Sequence, residues 1–379
     1  MKYDYIFAGA GLAGLMVLNE MINADLLVDK NVLILDVDPK NKNDRTWCFW
    51  EEGAGEWDFI LKKEWDRALF INNINTIECL SGGMKYKMIE SLSFYTTIMD
   101  KLKKHPKITW KQEKIVSFED SENEVLVISD KEKYFTSILF NSVFDLEKIK
   151  NNLEYPLLQQ HFIGWFIKTK KPFFDSGCVT FMDFSIPQKN NTRFMYVLPL
   201  SETEALLEYT LFSPDLLEEN EYESAISSYI ENKGIVDFEI MEKERGNIPM
   251  TAYPFWNSNS KNVLHIGTAG GWTKASTGYT FKNTMKQSKA LIQFLKRENI
   301  DFNAFHKPNR FLFFDKLFIK VLYENNALGY SLFSRMFSKV NPQIVFRFLD
   351  EKSTLFEDLK VILSCPKIPF IKALFRIKK

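Results

Sequence analysis

The sequence predicts an α/β fold in two interleaved parts, a wound parallel sheet and a separate antiparallel sheet, followed by a helical C-terminal region. Three observations predict it. A short apolar run leads into the glycine-rich turn Gly9-Ala10-Gly11-Leu12-Ala13-Gly14 and then into a helical run. Four alternating runs between residues 160 and 212 are separated by Pro, Gly and Asn, as antiparallel strands are. A buried run at residues 262–266 enters a second glycine-rich segment and returns the chain to its first part. At 379 residues the chain exceeds the usual size of one core, which favours two interleaved domains or one large domain with an insertion.

The first unit is a strand, a turn, a helix and a strand. Residues 3–8 form the strand; Gly9 permits the turn, Gly11 lets the backbone approach a pyrophosphate, and Gly14 allows the helix to pack closely on the strand. Residues 15–21 read as the helix, whose positive end favours phosphate. The second strand, residues 32–35, ends in Asp36, about 20 residues beyond the turn, where an acid for a ribose hydroxyl belongs. A glycine turn alone is weak evidence and can be coincidental. Strand before, helix after and acid in place make it a dinucleotide site, and its position at the start of the chain favours FAD over NAD. The fold class is therefore the FAD-binding Rossmann type, two-domain and similar to the flavin hydroxylases.

Residues 88–102 have helical spacing, and residues 108–138 alternate like short antiparallel strands broken by the polar run 120–124. Residues 137–143 read as a third parallel strand. Residues 160–168, 178–184, 194–200 and 205–212 are the four strands of a substrate-covering sheet, and residues 219–232 a polar-faced helix. After the strand at 262–266, the segment Gly267-Thr268-Ala269-Gly270-Gly271, with Thr277, Gly278 and Tyr279 before a helix at 280–295, can aim backbone N–H groups at a flavin. A plain loop is the alternative. The expected division is 1–150 for the first part of the FAD-binding domain, 151–250 for the substrate sheet, 251–300 for the return segment and 301–379 for the C-terminal region.

Composition narrows the classes. Lys plus Arg equals Asp plus Glu at 49 each, which gives no support to a nucleic-acid partner. Aromatic residues form 15% of the chain, 34 of them Phe, a load that suits a large core or a long apolar ligand channel. The four cysteines and four histidines are scattered, so neither a metal site nor a disulfide framework is expected, and a reducing cytoplasm is the simplest location. Asp4 interrupts the only early apolar run, which argues against a signal peptide, and no run reaches the roughly 20 apolar residues of a spanning helix.

The glycine turn, Asp44-Arg45-Thr46-Trp47-Cys48-Phe49-Trp50, residues 193–213, and Gly246-Asn247-Ile248-Pro249 with residues 267–281 together resemble the lycopene cyclase family of carotenoid biosynthesis, in its bacterial β-cyclase branch. The resemblance runs over most of the chain. Flavin hydroxylases usually have Gly-Asp where Gly267-Thr268 stands, a departure that leans away from monooxygenase chemistry. What the resemblance implies is an isomerase or intramolecular lyase: the ψ-ends of lycopene close into β-ionone rings, giving β-carotene by way of γ-carotene with no net oxidation. It also implies reduced FAD, with electrons ultimately from NAD(P)H. Such a site must supply an acid, hold a tertiary cation and exclude water.

The resemblance points to Glu208 as the catalytic carboxylate. In a strand, alternation sets Glu208 on the face opposite Leu207 and Tyr209, and burial there raises its pKa; a solvated strand-edge glutamate is the commoner alternative. Many cyclases carry a second acid directly after this one, where this chain has Tyr209. That departure leaves Glu208 and the flavin as the main actors. Arg45 and Thr46 can contact the cofactor, and Trp47, Phe49, Trp50, Trp165, Phe166, Phe181 and Phe194 can line a polyene tunnel or simply pack.

From residue 306 to 379 there are 14 Lys and Arg against 6 Asp and Glu, interleaved with Phe and Leu. Residues 311–321 and 368–379 can lie on an anionic membrane surface or form an ordinary helical cap. The expected partners are an apolar polyene and a membrane surface, in a peripherally attached protein of unknown oligomeric state. Two other readings stay open: a flavin-dependent hydroxylase or prenyl reductase, which consumes NAD(P)H or oxygen, and a carrier that leaves the polyene unchanged.

Overall fold

The computed structural model describes residues 2–121, 123–150, 152 and 154–376. The opening βαβ forms as its pattern requires. Strand β1 (Lys2–Ala8), helix α1 (Leu12–Asn23) and strand β2 (Val32–Asp36) follow one another, with β1 and β2 parallel and Tyr5 opposite Val32. Leu15, Met16, Val17 and Leu18 are all fully buried, because α1 lies between the sheet and further helices.

Five short strands come next: β3 (Thr46–Glu52), β4 (Lys63–Trp65), β5 (Arg67–Ile71), β6 (Thr76–Glu78) and β7 (Met84–Glu90). β3, β7 and β4 form a small antiparallel sheet, whereas β5 and β6 pair at the edge of the second large sheet. The stretch 1–150 thus lends two strands to the substrate sheet. β5 alternates, burying Ala68 and Phe70, and the Phe70 ring stacks on Phe337 at 4.6 Å. The helix read at 88–102 begins only at Ser91, since residues up to Glu90 belong to β7; it is α2 (Ser91–Leu102).

Strands β8 (Ile108–Gln112), β9 (Ile115–Asp120), β10 (Val125–Ser129) and β11 (Lys133–Asn141) complete the first sheet in the order β8-β2-β1-β11-β10-β9. The last three are an antiparallel meander as expected. β8 instead runs parallel to β2, with Ile34 opposite Trp110. From Phe135 onward β11 runs parallel to β1 and ends at Asn141, opposite Ala8 and close to the glycine turn.

After the short α3 (Glu147–Lys150) come β12 (Leu158–Thr169), β13 (Cys178–Asp183), β14 (Thr192–Pro199) and β15 (Glu204–Ser213), the four strands read from the sequence. Helix α4 (Glu219–Asn232) matches its reading, and a strand that the pattern did not show follows, β16 (Phe238–Met250). Its middle, Glu242-Lys243-Glu244-Arg245, is too charged to alternate, and it occupies the sheet edge, where charges are tolerated. The sheet order is β16-β12-β15-β14-β13-β5-β6. Ile163, Trp165, Val197, Leu207, Tyr209 and Leu211 fill one face and pack on Tyr222, Ile226 and Ile230 of α4. The other face looks into the molecule.

Strand β17 (Val263–His265) pairs in parallel with β11, and α5 (Phe281–Leu295) packs on α1. Helices α6 (Arg310–Glu324), α7 (Gly329–Lys339), α8 (Pro342–Leu349), α9 (Leu355–Ser364) and α10 (Lys367–Arg376) follow. Phe311, Ile319 and Val321 of α6 are buried, so residues 311–321 form mainly a packed helix. Among the described residues no helix is long and apolar enough to cross a membrane. Residues 377–379 of the other expected surface segment lie outside the described residues.

Candidate active site

A cavity of about 620 Å³ is walled by the second large sheet, by the turns that follow β1, β11 and β17 of the first, by β3 and by the C-terminal helices. Its polar end is made by Gly11, Leu12 and Ala13 at the start of α1, by Lys40, Arg45 and Thr46, and by Gly267, Thr268, Thr277 and Gly278. α1 begins at Gly11 with no side-chain cap and no acidic residue in its first turn, so its free N–H groups and positive dipole end are offered to the cavity. A Cβ on Gly11 would meet nothing within 4 Å, whereas one on Gly14 would stand 2.4 Å from the Gly9 carbonyl oxygen. Gly9 has φ +89° and sits against Ser142, a geometry that a side chain would forbid. On the same walls, Gln160 Oε1, Thr277 Oγ1 and Thr284 Oγ1 are buried with no hydrogen-bond partner among the described residues. Buried polar atoms are normally satisfied, so these three mark where a polar ligand fits.

The remaining residues expected at a cofactor stand behind this wall. Asp36 accepts the Ala10 N–H at 2.6 Å and the Asp38 N–H at 2.8 Å, with the Lys40 ammonium 3.6 Å away. It braces the glycine turn rather than lining the cavity. Gly9, Ala10 and Gly14 shape the turn, and Ala269, Gly270 and Gly271 lie off the wall that Gly267 and Thr268 form.

The other end of the cavity is apolar, walled by Phe162, Phe181, Phe194, Leu206, Phe212, Phe333, Met336 and Phe337. Into it the second sheet projects one cross-strand row. Tyr196 lies opposite Glu208, Glu208 opposite Gly164, and Gly164 opposite Glu244, across β14, β15, β12 and β16. Strand alternation sends Leu207 and Tyr209 to the far face and Glu208 to this one, as the sequence predicted. Glu208 is 7% exposed and accepts a hydrogen bond from the Thr210 hydroxyl. Glu244 is half-buried and accepts the Thr46 hydroxyl at 3.0 Å. Loss of solvent raises the pKa of both carboxyls, and the charge of Glu244 raises Glu208 further.

Glu244 was missed by sequence reading, which sought a second acid at position 209. The only available signal was local, the run 242–245 before Gly246-Asn247-Ile248-Pro249. Pairing of β16 with β12 brings it to Glu208 from 36 residues away, a long-range contact that local patterning does not reveal.

Three tyrosines gather at the row, Tyr196 within it and Tyr86 and Tyr279 beside it, so Tyr279 stands at this end and not with the glycine turn. Tyr86 and Tyr196 share a hydrogen bond of 2.7 Å, and Tyr279 meets the edge of Trp50 at 4.7 Å. Burial lifts the pKa of all three, and that of the Cys48 thiol, so they stay uncharged. Of the aromatic candidates, Trp47, Phe181 and Phe194 line the cavity. Phe49 stacks on Phe281 at 4.8 Å, Trp50 and Phe166 pack in the core, and Trp165 lies on the α4 face. A neutral buried carboxyl among aromatic faces can give up a proton and leave a cation next to π-electrons, with little water to trap it.

Solved structures share this fold. A geranylgeranyl bacteriochlorophyll reductase-like protein from Thermoplasma acidophilum superposes with a TM-score of 0.61 at 12% identity, covering 100% of this chain and 99% of that one. The halogenase PltM, in its complex with phloroglucinol and FAD, gives 0.59 at 11% identity, covering 99% and 90%. The two-domain FAD-binding Rossmann-type fold with a helical C-terminal part is thus the one predicted, and its second sheet is antiparallel except where β5 joins β13 in parallel. By sequence, the lycopene beta-cyclase of Pantoea ananas is 24% identical over 406 aligned positions, covering 98% of this chain and 97% of that protein. That of Paracoccus sp. (strain N81106 / MBIC 01143) is 25% identical over 224, covering 55% and 57%. The family model described as lycopene cyclase protein matches residues 4–375, nearly the whole length over which the glycine turn, the carboxyl row and the aromatic walls are distributed. The chain belongs to the lycopene cyclase family.

Proposed function

We propose that this chain is a lycopene β-cyclase that closes the ψ-ends of lycopene into β-ionone rings, giving β-carotene by way of γ-carotene. The observation that carries this reading is Glu208, a buried carboxyl held above its usual pKa in the apolar end of a cavity whose other end offers a helix N-terminus. Held neutral, Glu208 donates its proton to the terminal double bond of the substrate, and the neighbouring double bond closes the ring on the tertiary cation. The aromatic walls exclude water, and Tyr86, Tyr196 and Tyr279 present uncharged rings to the cationic intermediate. The names of both relatives and the family match support the substrate class.

FAD suits the polar end. The N–H groups of Leu12 and Ala13 and the open face of Gly11 would hold its pyrophosphate, and Gly267, Thr268, Thr277 and Gly278 would hold the flavin side. When reduced, FAD supplies negative charge that steadies a nearby cation without being consumed. The electrons for that reduction come ultimately from NAD(P)H. The overall reaction is then an isomerisation. In an anaerobic assay with lycopene in liposomes, monocyclic and bicyclic carotenes are expected only with pre-reduced FAD, which stays reduced. Unchanged lycopene, or flavin oxidised in step with product, overturns the reading.

Lycopene dissolves in lipid, and α9 with α10 supports a membrane-docking face. Phe356 is 68% and Phe375 85% exposed, with Leu355, Leu363 and Ile368 also exposed and Lys360, Lys367 and Lys372 among them. Apolar side chains flanked by lysines suit an anionic bilayer surface. α9 packs on α7, whose Phe333, Met336 and Phe337 line the apolar end of the cavity. Replacing Phe356 and Phe375 together by Ser is expected to release the protein from anionic liposomes. Unchanged co-sedimentation would dismiss this face as the anchor.

A further inference from the structure

Glu208 and Glu244 occupy strands on either side of β12, so their backbones are separated by two strand spacings, roughly 10 Å. A side chain on the intervening residue would keep them apart. That residue is Gly164, and the place where its Cβ would stand is 3.5 Å from Glu208 Cβ and 3.2 Å from Glu244 Cγ. Two acids therefore lean over the same bare stretch of backbone from opposite sides. Each is also steered by one hydroxyl, Thr210 for Glu208 and Thr46 for Glu244, and both line the same cavity. Like charges in a low-dielectric site resist being ionised together, so such a pair tends to keep one proton between them.

We infer that Glu208 and Glu244, brought together over Gly164, form a proton-sharing pair in which one carboxyl protonates the substrate while the other, as carboxylate, accepts the proton that leaves the ring. The inference rests on the cyclase reading and assigns its base. The step balances. The O–H of one carboxyl breaks as a C–H bond forms at the terminal alkene carbon from its π pair; the next alkene's π pair makes the ring C–C bond. A C–H bond beside the resulting cation then breaks, its electron pair becomes the ring double bond, and its proton goes to the second carboxylate. Nothing is oxidised or reduced. The pair ends with its proton count unchanged, and transfer between the two oxygens restores the starting form. Tyr209, in the place where many cyclases have their second acid, lies on the opposite face, so the second acid comes from another strand.

The test compares wild type, Glu244→Gln and Gly164→Ala. A neutral glutamine removes the charge that holds the Glu208 proton, so the alkaline limb of the pH–rate profile is expected to move to lower pH, with turnover falling roughly 100-fold for the lost base. Gly164→Ala keeps both acids but puts a methyl between them, 2.8 Å from Leu206 Cδ1, and is expected to move the limb the same way. A readout that needs no turnover is the infrared C=O stretch of the protonated carboxyl, which should vanish at lower pH in Glu244→Gln than in wild type. If Glu244 merely braces the edge strand, both the alkaline limb and the carboxyl band keep their wild-type pH, and the pair is overturned. A wild type that binds lycopene without cyclising it overturns the cyclase reading instead, while the carboxyl band still reports on the pair.

Discussion

The two ends of the cavity are built by different means. At the polar end the wall is built largely from backbone, through a turn, a helix start and close packing that absent side chains allow. At the apolar end three side chains from three strands meet in one row, and the glycine that a fourth strand places among them lets two of them approach. A backbone-built site is encoded in a few adjacent residues. A row across a sheet is encoded in register, spread over residues 164 to 244.

The largest effect that tests this contrast is expected at the apolar end. Glu208→Gln keeps the shape of the side chain and removes its proton, so cyclisation should fall by about 10²- to 10⁴-fold. FAD affinity should be unchanged, because Glu208 lies in the row and not at the helix start. A variant that cyclises at the wild-type rate would remove Glu208 from the chemistry.

Glycine replacements probe the polar end from two sides. Gly14→Ala would put a methyl 2.4 Å from the Gly9 carbonyl and should lower stability by about 1–3 kcal/mol, read as a fall in Tm. Gly11→Val faces open space, so Tm should hold while bound flavin is lost. If Gly11→Val retains full flavin, the pyrophosphate does not sit on this turn.

This difference explains what was legible. The glycine turn, the four strands, α4, the return segment and the facing of Glu208 follow from local spacing and alternation. Asp36 is near its expected place but hydrogen-bonds Ala10, a partner set by the packing of the turn. β5, β6 and β16 were not legible as members of the second sheet, because pairing partners far along the chain decide where a short or charged strand goes. Glu244 was hidden for the same reason.

A smaller effect concerns stability. The folded state holds Glu208 above the ordinary carboxyl pKa, so the unfolded chain ionises first as pH rises. The stability Glu208 contributes is therefore full below the unfolded value, about 4.3, and declines as pH climbs toward the raised folded value. Glu208→Gln should consequently be more thermostable than wild type near neutrality, and the gap should shrink at pH 4. Equal Tm values at both pH values would mean that Glu208 is ionised and solvated in the folded protein.

The smallest effect sharpens the contrast most, because it lies where the two ends meet. Sequence reading put Thr46 with the cofactor, and it does line the cavity beside Arg45, yet its hydroxyl donates to Glu244 at 3.0 Å. That bond favours the carboxylate of Glu244 and so helps keep the shared proton on Glu208. Thr46→Val keeps the branched shape and removes the bond, worth about 1.5–3 kcal/mol to a charged acceptor, and lets part of the proton population move to Glu244. Turnover should drop several-fold to tenfold with flavin affinity unchanged. If flavin affinity falls instead and the rate of the flavin-saturated enzyme is normal, Thr46 serves the polar end and the row is held by its own register.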